Sequence, residues 1–160
     1  MTNQTKLIGV LLAAGKGLRA YPTTKFLPKP LFKVDGETLL LKNINNLKDK
    51  FQVKEIFIVV GHLGQQIIDY VESLKLDINI TFVNQDKING IANAIYLLKD
   101  KLKDKKFVTI LADEYYHDAN YEEFTDKISL NYSAITTFIK EKNPNIISKN
   151  FIGKFYKEKQ

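Results

Sequence analysis

Short unbroken runs of apolar residues alternate along this chain with longer stretches in which apolar residues recur every three or four positions. Three runs, residues 7–12, 56–60 and 107–111, have the length and continuity of strands buried on both faces. A fourth, residues 78–83, alternates apolar with polar and fits a strand nearer a sheet edge. The stretches between read as amphipathic helices. Leu40, Ile44 and Leu47 form the stripe of residues 38–50, and Ile67, Ile68, Val71 and Leu74 that of residues 64–74. Ile91, Ala94, Ile95, Leu98 and Leu102 form the stripe of a third helix. This order predicts an α/β fold, an open and mostly parallel sheet flanked by helices with right-handed crossovers. In such sheets ligands bind beyond the carboxyl ends of the strands. After Asn131 the pattern weakens, with residues 134–139 expected as a fifth strand and 150–156 as a sixth. No repeat, linker or low-complexity tract appears, so residues 1–160 are expected to form a single domain.

Composition narrows the class. At 44% hydrophobic residues, 160 residues suffice for one sizeable core, and the absence of cysteine excludes disulfides and thiolate metal sites. No apolar run approaches the ~20 residues of a membrane span, and the N-terminus does not read as a signal peptide, so a soluble cytoplasmic protein with no membrane partner is expected. The net charge of +6 does not imply a nucleic-acid partner, because the lysines are scattered and the densest run, residues 99–106, is interrupted by Asp100 and Asp104. Of the 24 basic residues only Arg19 is arginine, and it lies in a glycine-containing loop. A guanidinium offers planar, multi-donor recognition of phosphate that an ammonium does not.

That loop follows the first strand as Leu12-Ala13-Ala14-Gly15-Lys16-Gly17-Leu18-Arg19. Two glycines two apart let the backbone turn tightly and aim successive N–H groups into one concavity, a nest for anions, with Lys16, Arg19, Lys25 and Lys29 around it. The pattern lacks the lysine-Ser/Thr pair and the glycine spacing of a Walker loop. It also lacks the immediate helix of a dinucleotide fingerprint, since Pro22, Pro28 and Pro30 forbid a regular helix there. Asp35 with Gly36 reads as a turn rather than as a ribose ligand. What remains is a long, proline-stiffened loop with Arg19 and Lys29 ten residues apart, suited to wrapping a triphosphate.

The segments LAAGKGLR and PKPL resemble the signature of the sugar-1-phosphate nucleotidylyltransferase family, with Lys29 in the signature lysine position and Leu18 where a threonine is usual. The resemblance continues through DGETLLLKNINNL, EIFIVVGHLGQQIIDYV, the element Gln85…Gly90-Ile91-Ala92-Asn93-Ala94, and Leu111-Ala112-Asp113-Glu114. It implies a Rossmann-like sheet of the nucleotide-diphospho-sugar transferase type. It also implies transfer of a nucleoside monophosphate from a nucleoside triphosphate to a sugar 1-phosphate, with release of pyrophosphate. Positioning and charge neutralisation, rather than a nucleophilic side chain, carry such a reaction. The resemblance assigns Arg19 and Lys29 to catalysis at the phosphates. Leu12, Ala13, Ala14, Gly15, Lys16, Gly17, Gln85 and Gly90 become nucleotide-binding residues, and Asp113 holds Mg²⁺, which favours oxygen ligands shared with substrate phosphates.

Alternatives stay open for several of these residues. Gln85 and Gly90 also fit a polar loop ahead of a helix, and as a two-sided hydrogen-bonding partner Gln85 suits thymine or uracil while accommodating cytosine. A strand-end Asp113 also fits a simple turn. Tyr115 and Tyr116 fit either a sugar pocket or packing, and His62 fits a loop. The family pattern continues further than this chain, and Glu158-Lys159 meets Gln160 where a proline is usual, so the C-terminal part of the family domain is expected to be missing. A fragment, a short paralogue and a split gene product all fit. Two other functions follow: a nucleotide-binding domain without transfer activity, and an enzyme of the same fold acting on phosphocholine or another phosphorylated alcohol. A homo-oligomer is compatible with each.

Overall fold

The computed structural model describes residues 7–116 and 119–128. The expected fifth and sixth strands and the Glu158-Lys159 segment lie outside the described residues. By contacts the chain divides after Thr125, and the account below concerns the first unit.

Four parallel strands form the main sheet: β1 (Ile8–Ala13), β4 (Glu55–Val60), β5 (Asn79–Asn84) and β6 (Phe107–Leu111), in the order β5-β4-β1-β6. Two of the continuous apolar runs become the central strands β1 and β4, buried almost throughout. The third, expected buried on both faces, becomes β6 at one end of the described sheet with Phe107 exposed, and the alternating run becomes β5 at the other end, only half-buried. A two-residue turn, Asp35-Gly36, both at positive φ, joins the small hairpin of β2 (Lys33–Val34) and β3 (Glu37–Thr38). Helix α1 (Leu39–Asn45) follows directly. The Thr38 side chain caps it, accepting from the Leu41 N–H at 3.1 Å, a cap that contributes about 1 kcal/mol.

β1 has two dissimilar neighbours. Its even-numbered residues Ile8, Val10 and Leu12 pack with Phe57 and Val59 of β4 and with Ala94, Leu98 and Leu102. On the opposite face Gly9 lies so close to Leu47 that a Cβ would stand 3.0 Å from its Cδ1. Leu40, Ile44, Leu47 and Ile67 are all fully buried, and each such side chain contributes about 1.5–3 kcal/mol. Most of the stripe residues therefore face the core as expected, but Ile91 is exposed and borders the crevice instead.

The helices themselves are more broken than their stripes. The expected helix over residues 38–50 is α1 followed by a π-helical turn at Asn46–Lys50. The third expected helix divides into α3 (Ile91–Tyr96) and α4 (Lys99–Leu102), because Leu98, at φ −97° and ψ 6°, leaves helical geometry. Ala94, Leu98 and Leu102 stay buried across the break, so packing tolerates it without a change of stripe. Helix α2 (Gly64–Ser73) connects β4 to β5, and α5 (Tyr121–Ile128) follows β6. Among the described residues no helix is long and apolar enough to cross a membrane.

Strand order and register place the site. The chain runs outward from β1 to β4 and β5, then crosses back to add β6 on the other side of β1. The crevice at such a reversal is where open α/β sheets bind ligands. Registers Ala13↔Val60, Val60↔Asn84 and Leu12↔Leu111 bring all four carboxyl ends to one level. Gly15, His62, Gln85 and Asp113 therefore emerge along the same sheet edge.

Candidate functional site

The loop after β1 is shaped by where its carbonyls go. Gly17 takes the left-handed conformation, φ 63° and ψ 35°, and a Cβ there would meet Thr24 Cγ2 at 2.9 Å. Its carbonyl accepts from the Thr24 hydroxyl at 3.0 Å and from the Ala20 N–H at 2.9 Å. The Ala14 carbonyl accepts from the His62 N–H at 3.3 Å. The N–H groups of Gly15, Lys16, Gly17, Leu18 and Arg19 have no backbone acceptor among the described residues. These donors lie in a largely exposed loop, open to water or to a ligand.

Beyond it the prolines act as anticipated. Instead of a regular helix there are three short 3-10 turns, Leu18–Ala20, Thr23–Lys25 and Lys29–Leu31. The last of them carries Lys29 to the far side of the crevice, where its Nζ stands 2.8 Å from Asp113 Oδ2, with the two side chains 27% and 36% exposed. Asp113 sits in the turn after β6, closed by the Glu114 N–H donating to the Leu111 carbonyl at 3.1 Å.

Two adjoining cavities use these groups. The first, of about 210 Å³, is lined on the loop side by Leu12, Ala13, Ala14, Gly15 and Gly17, and on the other by Gln85, Gly90, Lys29 and Asp113. The second, of about 590 Å³, takes in Lys16, Arg19 and Asp86. Gly17, Lys29 and Asp113 border both. Every site residue expected from the sequence thus falls in one crevice, but in two groups: Gln85 and Gly90 border the first cavity, Lys16 and Arg19 the second.

Gln85 differs from its expected two-sided role. It is buried, its N–H donates to the Val60 carbonyl at 2.8 Å, and its Nε2 donates to the Gly90 carbonyl at 3.3 Å and to Asn93 Oδ1 at 3.0 Å. A carbonyl only accepts, which fixes the orientation of the amide. Both Nε2 hydrogens are then spent, and Oε1 remains for a ligand. Ile88, Ile91 and Ala94 supply an apolar wall beside it.

Several residues that organise the site were not singled out in the sequence. Thr24, fully buried, orients Gly17, while His62 and Gln66 hold the loop through the Thr24 and Phe26 carbonyls at 2.8 and 3.0 Å. Nothing in the local pattern marks these. Asn43 is different. It lies on the apolar stripe of α1, is fully buried, and its Nδ2 donates to the Glu114 carbonyl at 2.8 Å, steadying the turn that holds Asp113. A polar residue on a core stripe is a readable signal. Its Oδ1 has no partner. Of the tyrosines, Tyr115 lies under Lys42, whose Nζ is 4.9 Å from the ring centroid. Tyr116 donates to the Glu114 carboxylate at 2.6 Å. Burial, followed by that hydrogen bond and the carboxylate charge, holds the Tyr116 phenol well above its ordinary pKa.

Among the described residues no three acidic, histidine or cysteine side chains cluster as a self-contained metal cage. One strand-end carboxylate open to a cavity fits a cation that completes its shell with water and phosphate oxygens, as Mg²⁺ does.

The model of the nucleotidyl transferase family matches residues 8–146. The chain belongs to this family. Among curated relatives, the UTP–glucose-1-phosphate uridylyltransferase AglF of Haloferax volcanii is 32% identical over 108 residues, 68% of this chain and 44% of that protein. The bifunctional protein GlmU of Methanocaldococcus jannaschii is 32% identical over 135 residues, 84% of this chain and 30% of that protein. The chain therefore spans less than half the length of these relatives. Among solved structures, a Bacillus anthracis protein described as a glucose-1-phosphate thymidylyltransferase superposes with a TM-score of 0.65 at 31% identity, covering 76% of this chain and 51% of that one. The CTP:phosphocholine cytidylyltransferase of Streptococcus pneumoniae gives a TM-score of 0.57 at 32% identity, covering 69% and 46%. The mostly parallel Rossmann-like sheet is the fold these proteins share with this chain.

Proposed function

We propose that the crevice binds a nucleoside triphosphate and transfers its nucleoside monophosphate to a sugar 1-phosphate, releasing pyrophosphate. The observation that carries this reading is the run of N–H groups at Gly15–Arg19 without a backbone acceptor, in a loop that borders the same cavities as Lys29 and Asp113 at the reversal point of the sheet. The base enters the first cavity, where Gln85 Oε1 accepts from an N–H of its edge and Gly90 lets it lie against the backbone. The phosphates extend through the nest into the second cavity. Arg19 binds the departing β- and γ-phosphates, and Lys29 leaves Asp113 to bind the α-phosphate or the sugar phosphate. An oxygen of the sugar phosphate attacks the α-phosphorus in line, the bond to the bridging oxygen of the β-phosphate breaks, and pyrophosphate leaves with that electron pair. Asp113 is the residue that would hold Mg²⁺, which when bound neutralises charge on the phosphates.

A second acceptor is favoured by the similarity to the phosphocholine cytidylyltransferase, at 32% identity against 31% for the thymidylyltransferase match. The two readings separate in one experiment. Pyrophosphate release is measured for each common nucleoside triphosphate with Mg²⁺ and either glucose 1-phosphate, N-acetylglucosamine 1-phosphate or phosphocholine, alongside calorimetric nucleotide binding. Release with a sugar phosphate supports the principal reading, and release only with phosphocholine supports the second. Binding without release in any mixture identifies a nucleotide-binding domain, and absence of binding overturns the reading entirely.

A further inference from the structure

The turn that leaves β4 does more than connect it to α2. Gly61 packs directly on the phosphate loop: a Cβ at this position would stand 2.9 Å from Ala14 Cβ and 3.0 Å from the Ala14 carbonyl oxygen, so only glycine lets the turn come this near. That approach places His62 against the loop at two points separated by ten residues of chain. Its backbone N–H donates to the Ala14 carbonyl at 3.3 Å, where the loop begins. Its ring Nε2 donates to the Thr24 carbonyl at 2.8 Å, in the middle of the proline-containing segment. Because a carbonyl oxygen only accepts, Nε2 must carry a proton, and both the Nε2–H tautomer and the imidazolium meet that requirement. Thr24 passes the constraint on. Its backbone is held by His62, and its own hydroxyl, buried completely, donates to the Gly17 carbonyl.

We propose that His62 is a positioning residue for phosphate binding, tying Ala14 and Thr24 together so that the loop carbonyls turn outward and the Gly15–Arg19 N–H groups turn inward before ligand arrives. A nest binds anions only when its carbonyls are aimed elsewhere, and the carbonyls of Ala14 and Gly17 are both engaged through His62 or through the residue it holds. Gln66, donating to the Phe26 carbonyl at 3.0 Å, fastens the same segment one helical turn further on. Ordering a loop beforehand removes an entropy cost that ligand binding would otherwise bear. The inference rests on the nucleotide-binding reading above and adds a residue that touches no ligand atom.

Its signature is selectivity between the two ends of the nucleotide. Gln85 and Gly90 make no hydrogen bond to the His62–Thr24–Gly17 chain, although Gly17 borders their cavity, so losing the ring should weaken triphosphate binding far more than nucleoside binding. The experiment titrates wild type, His62→Ala and His62→Gln with Mg²⁺ and each of ATP, CTP, GTP, UTP and dTTP by calorimetry, and with the matching nucleosides by ligand-observed NMR. For the triphosphate that binds wild type best, His62→Ala should weaken binding ~10-fold, with nucleoside binding changed less than about twofold. His62→Gln, whose Nε2 has a comparable reach, should recover most of the loss. Thr24→Val removes the hydroxyl alone and should reproduce the selective loss should His62→Ala fail to fold. Equal triphosphate binding by the variants and wild type, parallel loss of nucleoside and triphosphate binding, or no rescue by glutamine would overturn the proposal while leaving the nucleotide-binding reading intact. A wild-type protein that binds none of the five triphosphates would remove both.

Discussion

Replacing Lys29 by methionine keeps the length of the side chain and deletes its charge, which separates what this lysine does for the fold from what it does for a ligand. At 2.8 Å the attraction between Lys29 and Asp113 is about 6 kcal/mol for an effective dielectric of ~20. Most of that is returned as lost hydration and side-chain freedom, because the side chains are 27% and 36% exposed. Pairs of this kind contribute about 0–1 kcal/mol net. Lys29→Met should therefore lower the melting temperature by no more than ~5 °C in differential scanning fluorimetry. Ligand binding should respond very differently. A charge-assisted hydrogen bond to phosphate contributes ~1.5–3 kcal/mol, so triphosphate affinity measured by calorimetry should fall ~10- to 150-fold. With its competitor gone, Asp113 should bind Mn²⁺ in the absence of nucleotide up to ~5-fold more tightly, read from the electron paramagnetic resonance signal of free Mn²⁺. Triphosphate affinity within about threefold of wild type, or Mn²⁺ affinity that falls, would refute the idea that Lys29 exchanges a carboxylate for a phosphate.

Asn43→Leu strips the Glu114 carbonyl of its buried donor but also removes the unpaired Asn43 Oδ1, so the two effects oppose each other. Urea unfolding should show a net loss of about 1 kcal/mol, together with weaker metal binding at Asp113, and a stabilised variant would contradict this reading. The phenols of Tyr116 and Tyr121 are both held above the ordinary 10.0, mainly by burial. The unfolded chain loses these protons first as pH rises, so this contribution to stability is complete below pH ~10 and fades above it. The fall in urea midpoint between pH 8 and about 10.5 should be smaller in Tyr116→Phe than in wild type, and equal falls would contradict the sign.

The frame of this fold is plain in the sequence because buried parallel strands leave little choice of residue. The apolar runs became β1, β4 and β6 with ends displaced by at most a residue, and the alternation of residues 78–83 matched the half-buried β5. Helix continuity was less legible. Ala94, Leu98 and Leu102 keep helical spacing on the core face whether or not the backbone is helical between them, so a stripe cannot reveal the break at Leu98. At the site, glycines and prolines announced the loop, since both act through local backbone geometry. The contacts that aim it were hidden, because His62 and Gln66 act across 38 and 40 positions of chain, and Thr24 across seven, through carbonyls that any residue would offer. The spent Nε2 of Gln85 was hidden for the same reason, whereas Asn43 betrayed itself as a polar residue among apolar neighbours.

The sharing of one sheet edge by four strand ends has a modular consequence. The groups beside Gln85 hang from the β5 end, while Asp113 hangs from the β6 end, and the buried strands β4 and β1 stand between them. On the reading proposed above, exchanging residues 85–90 for another loop would recode the nucleobase without moving the carboxylate. On that reading, base recognition and the Asp113 carboxylate hang from different strands, so either is free to change without the other.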